Sequence, residues 1–141
     1  MATRVREIVA IAFLLLTIGC AGEPRLIVDK SGAGDSEIGM VVGRNYHQNE
    51  TGLDKRVLDF LAEKKLDSSS DKVARLESFG FSCPVEAKPI CRYYGAVDMK
   101  LVGEGVSPDR NATSITFKIA VDYSKAPATV ATSIDKKHYP R

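Results

Sequence analysis

Residues 114–123 have the sequence Ser-Ile-Thr-Phe-Lys-Ile-Ala-Val-Asp-Tyr, in which large apolar side chains occupy every second position. A period of two is typical of a β-strand with one face buried and the other in water. Residues 96–102 show the same period less regularly. The two segments are predicted to pair antiparallel with a common apolar face. The residues predicted to lie on that face are Val97, Met99, Leu101, Ile115, Phe117, Ile119 and Val121.

Charges on the polar face of these strands predict a register. Placing Met99 opposite Phe117 brings Asp98 opposite Lys118, whereas a slide of two residues sets Lys100 against Lys118. Directly opposed charges stabilise or destabilise a strand pair by roughly 0.2–1 kcal/mol. The predicted register therefore pairs Asp98 with Lys118, although turn geometry in the loop 103–113 could override so small a preference.

Two amphipathic helices are predicted before the strands. The first rests on four apolar residues at helical spacing: Leu53, Val57, Phe60 and Leu61. The second rests on the stripe Val73, Leu76 and Phe79, which follows a capping cluster at residues 68–71. Gly80 stands where a left-handed terminating residue belongs, so Phe81 should contact Leu76.

The order of these elements, helices and then strands, predicts an α+β domain over residues 53–134. In this domain two short helices pack on one face of a small antiparallel sheet of two to three strands, the third being 129–134. Residues 20–52 are rich in glycine and polar residues and predict a flexible tether, in which only 25–29 and 40–42 could form short strands. Residues 135–141 predict a frayed basic tail.

The N-terminus has the arrangement of a secretory signal. Arg4 and Arg6 precede an apolar run over residues 8–18, which ends in the small residues of 19–22. At about 1.5 Å per residue, a helix of this length covers about half of a ~30 Å hydrocarbon core, so the run is too short to be a comfortable membrane span. Residues 1–19 are predicted to be a cleaved signal peptide.

The end of this signal, Leu16-Thr17-Ile18-Gly19-Cys20, resembles the lipobox of bacterial prolipoproteins. Gly19 and Cys20 match the pattern, while Thr17 stands where the commonest lipobox has leucine. The resemblance implies that Cys20 is lipidated and anchors the chain in the membrane of a bacterial envelope, facing the periplasm. In this family an aspartate directly after the cysteine retains the protein in the inner membrane. Ala21 at that position therefore implies that the chain is anchored in the outer membrane. The departure at Thr17 leaves ordinary cleavage after Ala21 as the alternative.

Cys83 and Cys91 are the two cysteines that remain once Cys20 is lipidated or removed with the signal. An exported pair usually forms a disulfide. Their spacing does not suit a zinc site, which prefers closer pairs and four ligands, nor a redox-active Cys-x-x-Cys pair. A structural disulfide is predicted, and no metal or cofactor is expected.

Composition and motifs restrict the function classes. The chain has 141 residues and a net charge of +2. Its charges are spread without a block of one sign, which excludes the footprint of a nucleic-acid binder. The histidines, His47 and His138, fall in the predicted tether and tail, and Ser68–Ser70 lacks the Gly-x-Ser-x-Gly elbow. No catalytic residue is predicted, and the chain is not expected to be an enzyme.

The segment Arg92-Tyr93-Tyr94 is the candidate binding surface. Neighbouring strand residues point to opposite faces, so at least one tyrosine should face outward, and exposed tyrosine beside arginine is typical of interfaces. The alternative is a tyrosine that packs over a helix end with its hydroxyl in water.

Two functional hypotheses follow from these observations. The first is a small non-catalytic envelope lipoprotein that serves as a binding or structural module for an envelope protein or glycan. The second is a periplasmic inhibitor or immunity-type protein directed at a lytic enzyme, for which the loop from Cys83 to Cys91 would be the inserting element.

Overall fold

Within residues 22–106 and 112–139, which the computed structural model describes, four antiparallel strands form one sheet in the order β1-β2-β3-β4. The strands are β1 (Arg25–Asp29), β2 (Ile90–Val102), β3 (Ala112–Asp122) and β4 (Thr129–Tyr139). Between β1 and β2 the chain forms α1 (Glu37–Arg44), α2 (Glu50–Glu63) and α3 (Lys72–Phe79). The predicted α+β class is confirmed, but these residues form three helices and four strands, not two helices and two to three strands.

The predicted signal peptide, residues 1–19, and the predicted lipidation site Cys20 lie outside the described residues. Among the residues that are described, no helix combines the length and the apolar composition needed to cross a membrane.

The sheet has one covered face and one open face, as the two-residue period of β2 and β3 predicts. Of the residues predicted for the covered face, Met99 and Leu101 are half-buried. The others, Val97, Ile115, Phe117, Ile119 and Val121, are buried. They share one core with buried side chains of the helices, namely Ile38, Val42, Leu53, Val57, Phe60, Leu61, Leu76 and Phe79.

The predicted register of β2 against β3 is wrong. Asp98 lies opposite Ser114, and Lys118 lies opposite Tyr94, so the predicted Asp98–Lys118 pair does not form. The face is nevertheless the predicted one, because the register differs by an even number of residues.

The physical reason is that β2 begins at Ile90, well before residue 96. The longer strand brings Cys91 opposite Val121 and Tyr93 opposite Ile119 on the covered face. Burying two further side chains stabilises the pairing by more than a single charge pair worth at most about 1 kcal/mol.

The tether predicted for residues 20–52 is wrong in the described part of that range. The short strand considered for 25–29 is confirmed as β1, but 37–44 form α1, so the strand considered for 40–42 is wrong. Ile38 and Val42 of α1 are 0% exposed. A Cβ at Gly39 would collide with the carbonyl of Ala33, so this glycine permits close packing. The glycines of this segment predict a flexible chain, but in the structure a glycine such as Gly39 allows two parts of the backbone to pack closely.

Helix α2 forms where the apolar spacing predicts it. Its four apolar residues at helical spacing are all buried. Its N-cap is Asn49, whose Oδ1 accepts a hydrogen bond from the N–H of Gly52 at 2.8 Å.

Helix α3 has the predicted caps at both ends. Asp71 Oδ1 accepts the N–H of Ala74 at 3.0 Å. Gly80 has φ +102°, and the Phe81 N–H donates to the Leu76 carbonyl at 3.1 Å, which completes the predicted terminator.

Strand β4 contains the predicted third strand and continues to Tyr139, so the predicted frayed tail is wrong as far as residue 139. The chain stays ordered there because β4 pairs with β3 along its whole length, from Asp122↔Thr129 to Ala112↔Tyr139. On the outer side of β4 the Ile134 N–H donates to Glu50 Oε1 of α2 at 3.0 Å. This helix therefore covers part of one sheet edge.

Cys83 and Cys91 form the predicted disulfide, with their Cα atoms 4.3 Å apart. The bridged segment contains a 3₁₀ turn, Val85–Ala87, between Pro84 and Pro89. Val85 at the start of this turn is 75% exposed. The disulfide thus holds an apolar side chain in solvent at the end of the sheet where β2 begins.

Candidate binding site on the open sheet face

The segment Arg92-Tyr93-Tyr94 is divided between the two faces of the sheet. Tyr93 is only 5% exposed, so its assignment to a binding surface is wrong, whereas Tyr94 is 62% exposed and Arg92 is also exposed. The Tyr93 ring packs edge-on against Phe81, just beyond the end of α3. The alternative of a tyrosine packing near a helix end therefore describes Tyr93, except that its hydroxyl is not in water.

The Tyr93 hydroxyl is a buried structural donor. It donates to the carbonyl oxygen of Ala33 at 2.5 Å, which ties the covered face of β2 to the turn after β1. Burial disfavours the ionised form and raises the pKa of Tyr93 from 10.0 to about 12. A Cβ at Gly95 would collide with this hydroxyl, so the glycine makes room for the ring.

On the open face, Arg92 and Tyr94 line a shallow cleft of about 270 Å³. In the observed register Tyr94 lies opposite Lys118, and Arg92 lies opposite Ala120, which in turn lies opposite Ala131. The short side chains of the two alanines form the base of the cleft. The longer side chains of Arg92, Tyr94 and Lys118 form its sides. This arrangement is referred to below as the open-face cleft.

A second, smaller depression of about 140 Å³ continues the open-face cleft towards the disulfide end of the sheet. It shares Ala120 and Ala131 with the cleft and extends to Ile90, Asp122 and Thr129. Together they form a shallow groove across β2, β3 and β4.

The open-face cleft is basic. Within the described residues Arg92 and Lys118 take part in no ion pair. Asp122, two residues beyond Ala120, lines the adjoining depression and not the cleft, and its carboxylate accepts hydrogen bonds from Ser124 Oγ at 2.6 Å and from the Ser124 N–H at 2.9 Å. These hydrogen bonds lower the pKa of Asp122. The cleft therefore offers two cations and an exposed aromatic ring, which suits an anionic ligand that also has an apolar surface.

A depression of about 460 Å³ between α1 and α2 is a weaker candidate. Three of its lining residues are basic and three are acidic: Arg44, Arg56 and Lys64, and Glu37, Asp59 and Glu63. Glu37 and Lys64 form an ion pair across it. Its charges are thus balanced within the protein, whereas those of the open-face cleft are not.

The histidines, whose side chains could act in catalysis or bind a metal, lie apart from the cleft. His138 Nδ1 lies 2.8 Å from Thr113 Oγ1, but the pair is exposed, and in the described hydrogen-bond network no third group orients the ring. His47 contacts the neighbouring residues Tyr46 and Gln48. Nowhere in residues 22–106 and 112–139 does a group of three or more metal-ligating side chains gather.

Sequence reasoning identified Arg92 and Tyr94 but missed Lys118, Ala120 and Ala131 as part of the same site. The missed signal is the occurrence of alanine at outward-facing positions of adjacent strands, where polar residues are usual. It could not be used because the predicted register placed Lys118 opposite Asp98, and not opposite Tyr94.

Comparison of the chain with protein-family models, curated proteins and solved structures found no significant match.

Proposed function

We propose that this chain is a small, non-catalytic, lipid-anchored module of the bacterial envelope that binds another envelope component through the open-face cleft. The lipid anchor is proposed at Cys20 from the lipobox-like residues that precede it. The observation that supports the binding role is the cleft itself, where Arg92 and Lys118 stand beside exposed Tyr94 without ion-pair partners in the described structure.

A carboxylate-bearing glycan, such as peptidoglycan, fits this cleft better than an extended peptide. The cleft lies on the face of the sheet, over backbone that is already paired: β3 pairs with β2 on one side and with β4 on the other, and Arg92 of β2 pairs with Ala120 and, through an isolated bridge, with Ser82. A peptide that adds a strand needs free backbone groups at an edge. A sugar ring instead needs an aromatic surface such as Tyr94, and its carboxylate needs a cation such as Arg92 or Lys118.

The test of binding is co-sedimentation of the detergent-solubilised protein with purified peptidoglycan. Tyr94→Ala and Arg92→Ala should each weaken binding at least about tenfold, the loss expected for a residue at the centre of an interface. Tyr139→Ala and Lys137→Ala are matched controls, because both residues are exposed on the same open face but outside the cleft. Equal losses in the cleft and control variants, or no binding by the parent protein, would contradict this function.

The test of the anchor is separate. Mass spectrometry of the protein made in a bacterium should show loss of residues 1–19 and an added acyl mass on Cys20. A mature chain that begins at Gly22 without acyl groups would contradict the anchor but leave the cleft proposal standing.

A second candidate is a periplasmic inhibitor or immunity-type protein that blocks a lytic enzyme. The observation that favours it is Val85, which is 75% exposed on a turn fixed by the Cys83–Cys91 disulfide. A rigid apolar tip of this kind can enter an active-site groove with little ordering cost. A stoichiometric enzyme partner, captured by the parent protein and lost in Val85→Ser but not in Tyr94→Ala, would favour this candidate over the glycan binder.

A further inference from the structure

We propose that one end of the sheet rests on the phospholipid surface that holds the lipid anchor. It is the end where β1 pairs with the last residues of β2 and where β4 ends at Tyr139. This inference rests on the proposed lipidation of Cys20. Its structural basis is the position of β1, which places the folded chain immediately after that cysteine.

The first argument is the length of the connection. Folded structure begins at Arg25, and Pro24 already packs against the hairpin end of β2, where a Cβ on Gly103 would lie 2.9 Å from the Pro24 Cα. From Cys20 to Pro24 an extended chain reaches at most about 14 Å. A spacer this short does not lift the domain away from the bilayer, and it fixes which end of the sheet faces the lipid.

The second argument is what this end of the sheet exposes. Across the sheet, Ile27, Lys100, Ala112 and Tyr139 lie in one row on the open face. Ile27 is 52% exposed, Tyr139 50%, and neighbouring Leu26 59%. They make up three of the six large exposed hydrophobic residues among the described residues. Ile27 and Tyr139 stand at the two edges of this row with Lys100 and Ala112 between them, and Leu26 projects from the other face of β1 at the same end. Exposed apolar side chains together with tyrosine at one end of a domain are typical of a membrane–water interface.

The third argument concerns charge and decides the kind of contact. Among the described residues at this end, four acidic residues outnumber three basic ones: Glu23, Asp29, Asp98 and Glu104 against Arg25, Lys100 and Lys137. Asp29 is held ionised by the Ser31 N–H, which donates to its carboxylate at 2.9 Å and lowers its pKa. The contact is therefore apolar and interfacial, and it does not require anionic lipid.

The proposed orientation places the open-face cleft away from the bilayer. Tyr94 lies six residues along β2 from Lys100, a distance of about 20 Å at the usual rise of a strand. Ile90, where β2 begins, lies about 33 Å from that row, and the disulfide-bridged turn with Val85 precedes it. The cleft and the turn would then face the periplasm.

The experiment uses tryptophan fluorescence, because the chain contains no tryptophan. Full-length protein with Ile27→Trp is matured in a bacterium, its acylation is checked by mass spectrometry, and it is reconstituted into phosphatidylcholine vesicles that contain brominated lipid. Val85→Trp is the matched control at the far end, and Tyr139→Trp is a second reporter at the near end in case position 27 disturbs β1.

The tryptophan at 27 or 139 should lose most of its fluorescence to the brominated lipid and shift to shorter wavelength, while that at 85 should be unchanged. Phosphatidylglycerol in the vesicles should not alter this pattern. Acylated protein with no quenching at 27 and 139, or with equal quenching at 85, would overturn the orientation alone. Quenching that requires phosphatidylglycerol would overturn the apolar contact. Protein without acyl groups would overturn the anchor, and the orientation with it.

Discussion

Tyr93 and Tyr94 are neighbours in β2, yet they belong to two different regions of the molecule. Tyr93 lies under the helices, with its hydroxyl bound to a backbone carbonyl, whereas Tyr94 stands in solvent beside Lys118. Both residues are tyrosines, so the difference between them comes from the helices, which cover one face of the sheet and leave the other open. The comparison teaches that the covered face should determine stability and the open face should determine binding.

The strongest test of this division is the pair Phe117→Ala and Lys118→Ala, two adjacent residues of β3 on opposite faces. Phe117 is fully buried, so its truncation should lower the free energy of unfolding by about 3–5 kcal/mol. Lys118 is exposed, so its truncation should change that free energy by no more than about 0.5 kcal/mol. Urea titrations followed by circular dichroism measure both, and similar losses in the two variants would break the comparison.

Helix α1 offers a sharper test, since the sequence pattern of residues 37–44 predicts part of a tether. Ile38→Ala should cost about 3 kcal/mol because the side chain is fully buried in the core. Met40 lies on the same helix and is exposed, so Met40→Ala should have a small effect. The same urea titrations apply, and a neutral Ile38→Ala would restore the tether interpretation.

Tyr93→Phe and Tyr94→Phe test a single oxygen atom on each face. Removing the Tyr93 hydroxyl leaves the Ala33 carbonyl without this donor, which should cost about 1–2 kcal/mol of unfolding free energy. Tyr94→Phe should be close to neutral because its hydroxyl is exposed. A loss in the second variant and none in the first would reverse the assignment of the two faces.

The last test, confined to alkaline pH, concerns a pH dependence of the Tyr93 contribution to stability. Because the pKa of Tyr93 is raised to about 12, the unfolded chain loses this proton at lower pH than the folded chain does. The unfolded state therefore binds fewer protons between about pH 10 and 12, and stability falls as pH rises. The stability difference between the parent protein and Tyr93→Phe should narrow over this range, whereas a constant difference would argue against a buried hydroxyl.

The sequence predicts those parts of the fold that depend on local patterns. Helices α2 and α3, the caps of α3, the covered face of β2 and β3 and the Cys83–Cys91 disulfide all follow from spacing or from parity. Each of these features is determined by residues close in the chain, or by the small number of ways in which cysteines can pair.

The parts that could not be predicted depend on contacts between distant segments. α1 is short and contains glycines, and it forms because Ile38 and Val42 enter a core built mainly by later residues. The register of β2 depends on how far the strand extends before residue 96, which no local pattern showed. The open-face cleft was found only in part for the same reason, since Lys118 joins Tyr94 only in the true register.

The placement of β1 at the sheet edge bears on the order in which the protein folds. Arg25 pairs with Val102 across most of the chain, whereas Lys100 pairs with Ala112 across one loop. The entropy lost on closing a loop grows with its length, so we expect β2, β3 and β4 to assemble first and β1 to join them afterwards. Until then Leu26, Ile27 and Val28 form an unpaired apolar segment of the kind that promotes association between chains. Of the four described strands, β1 is thus synthesised first and protected last. Chains held apart on a surface would associate through this segment less readily than chains free in solution.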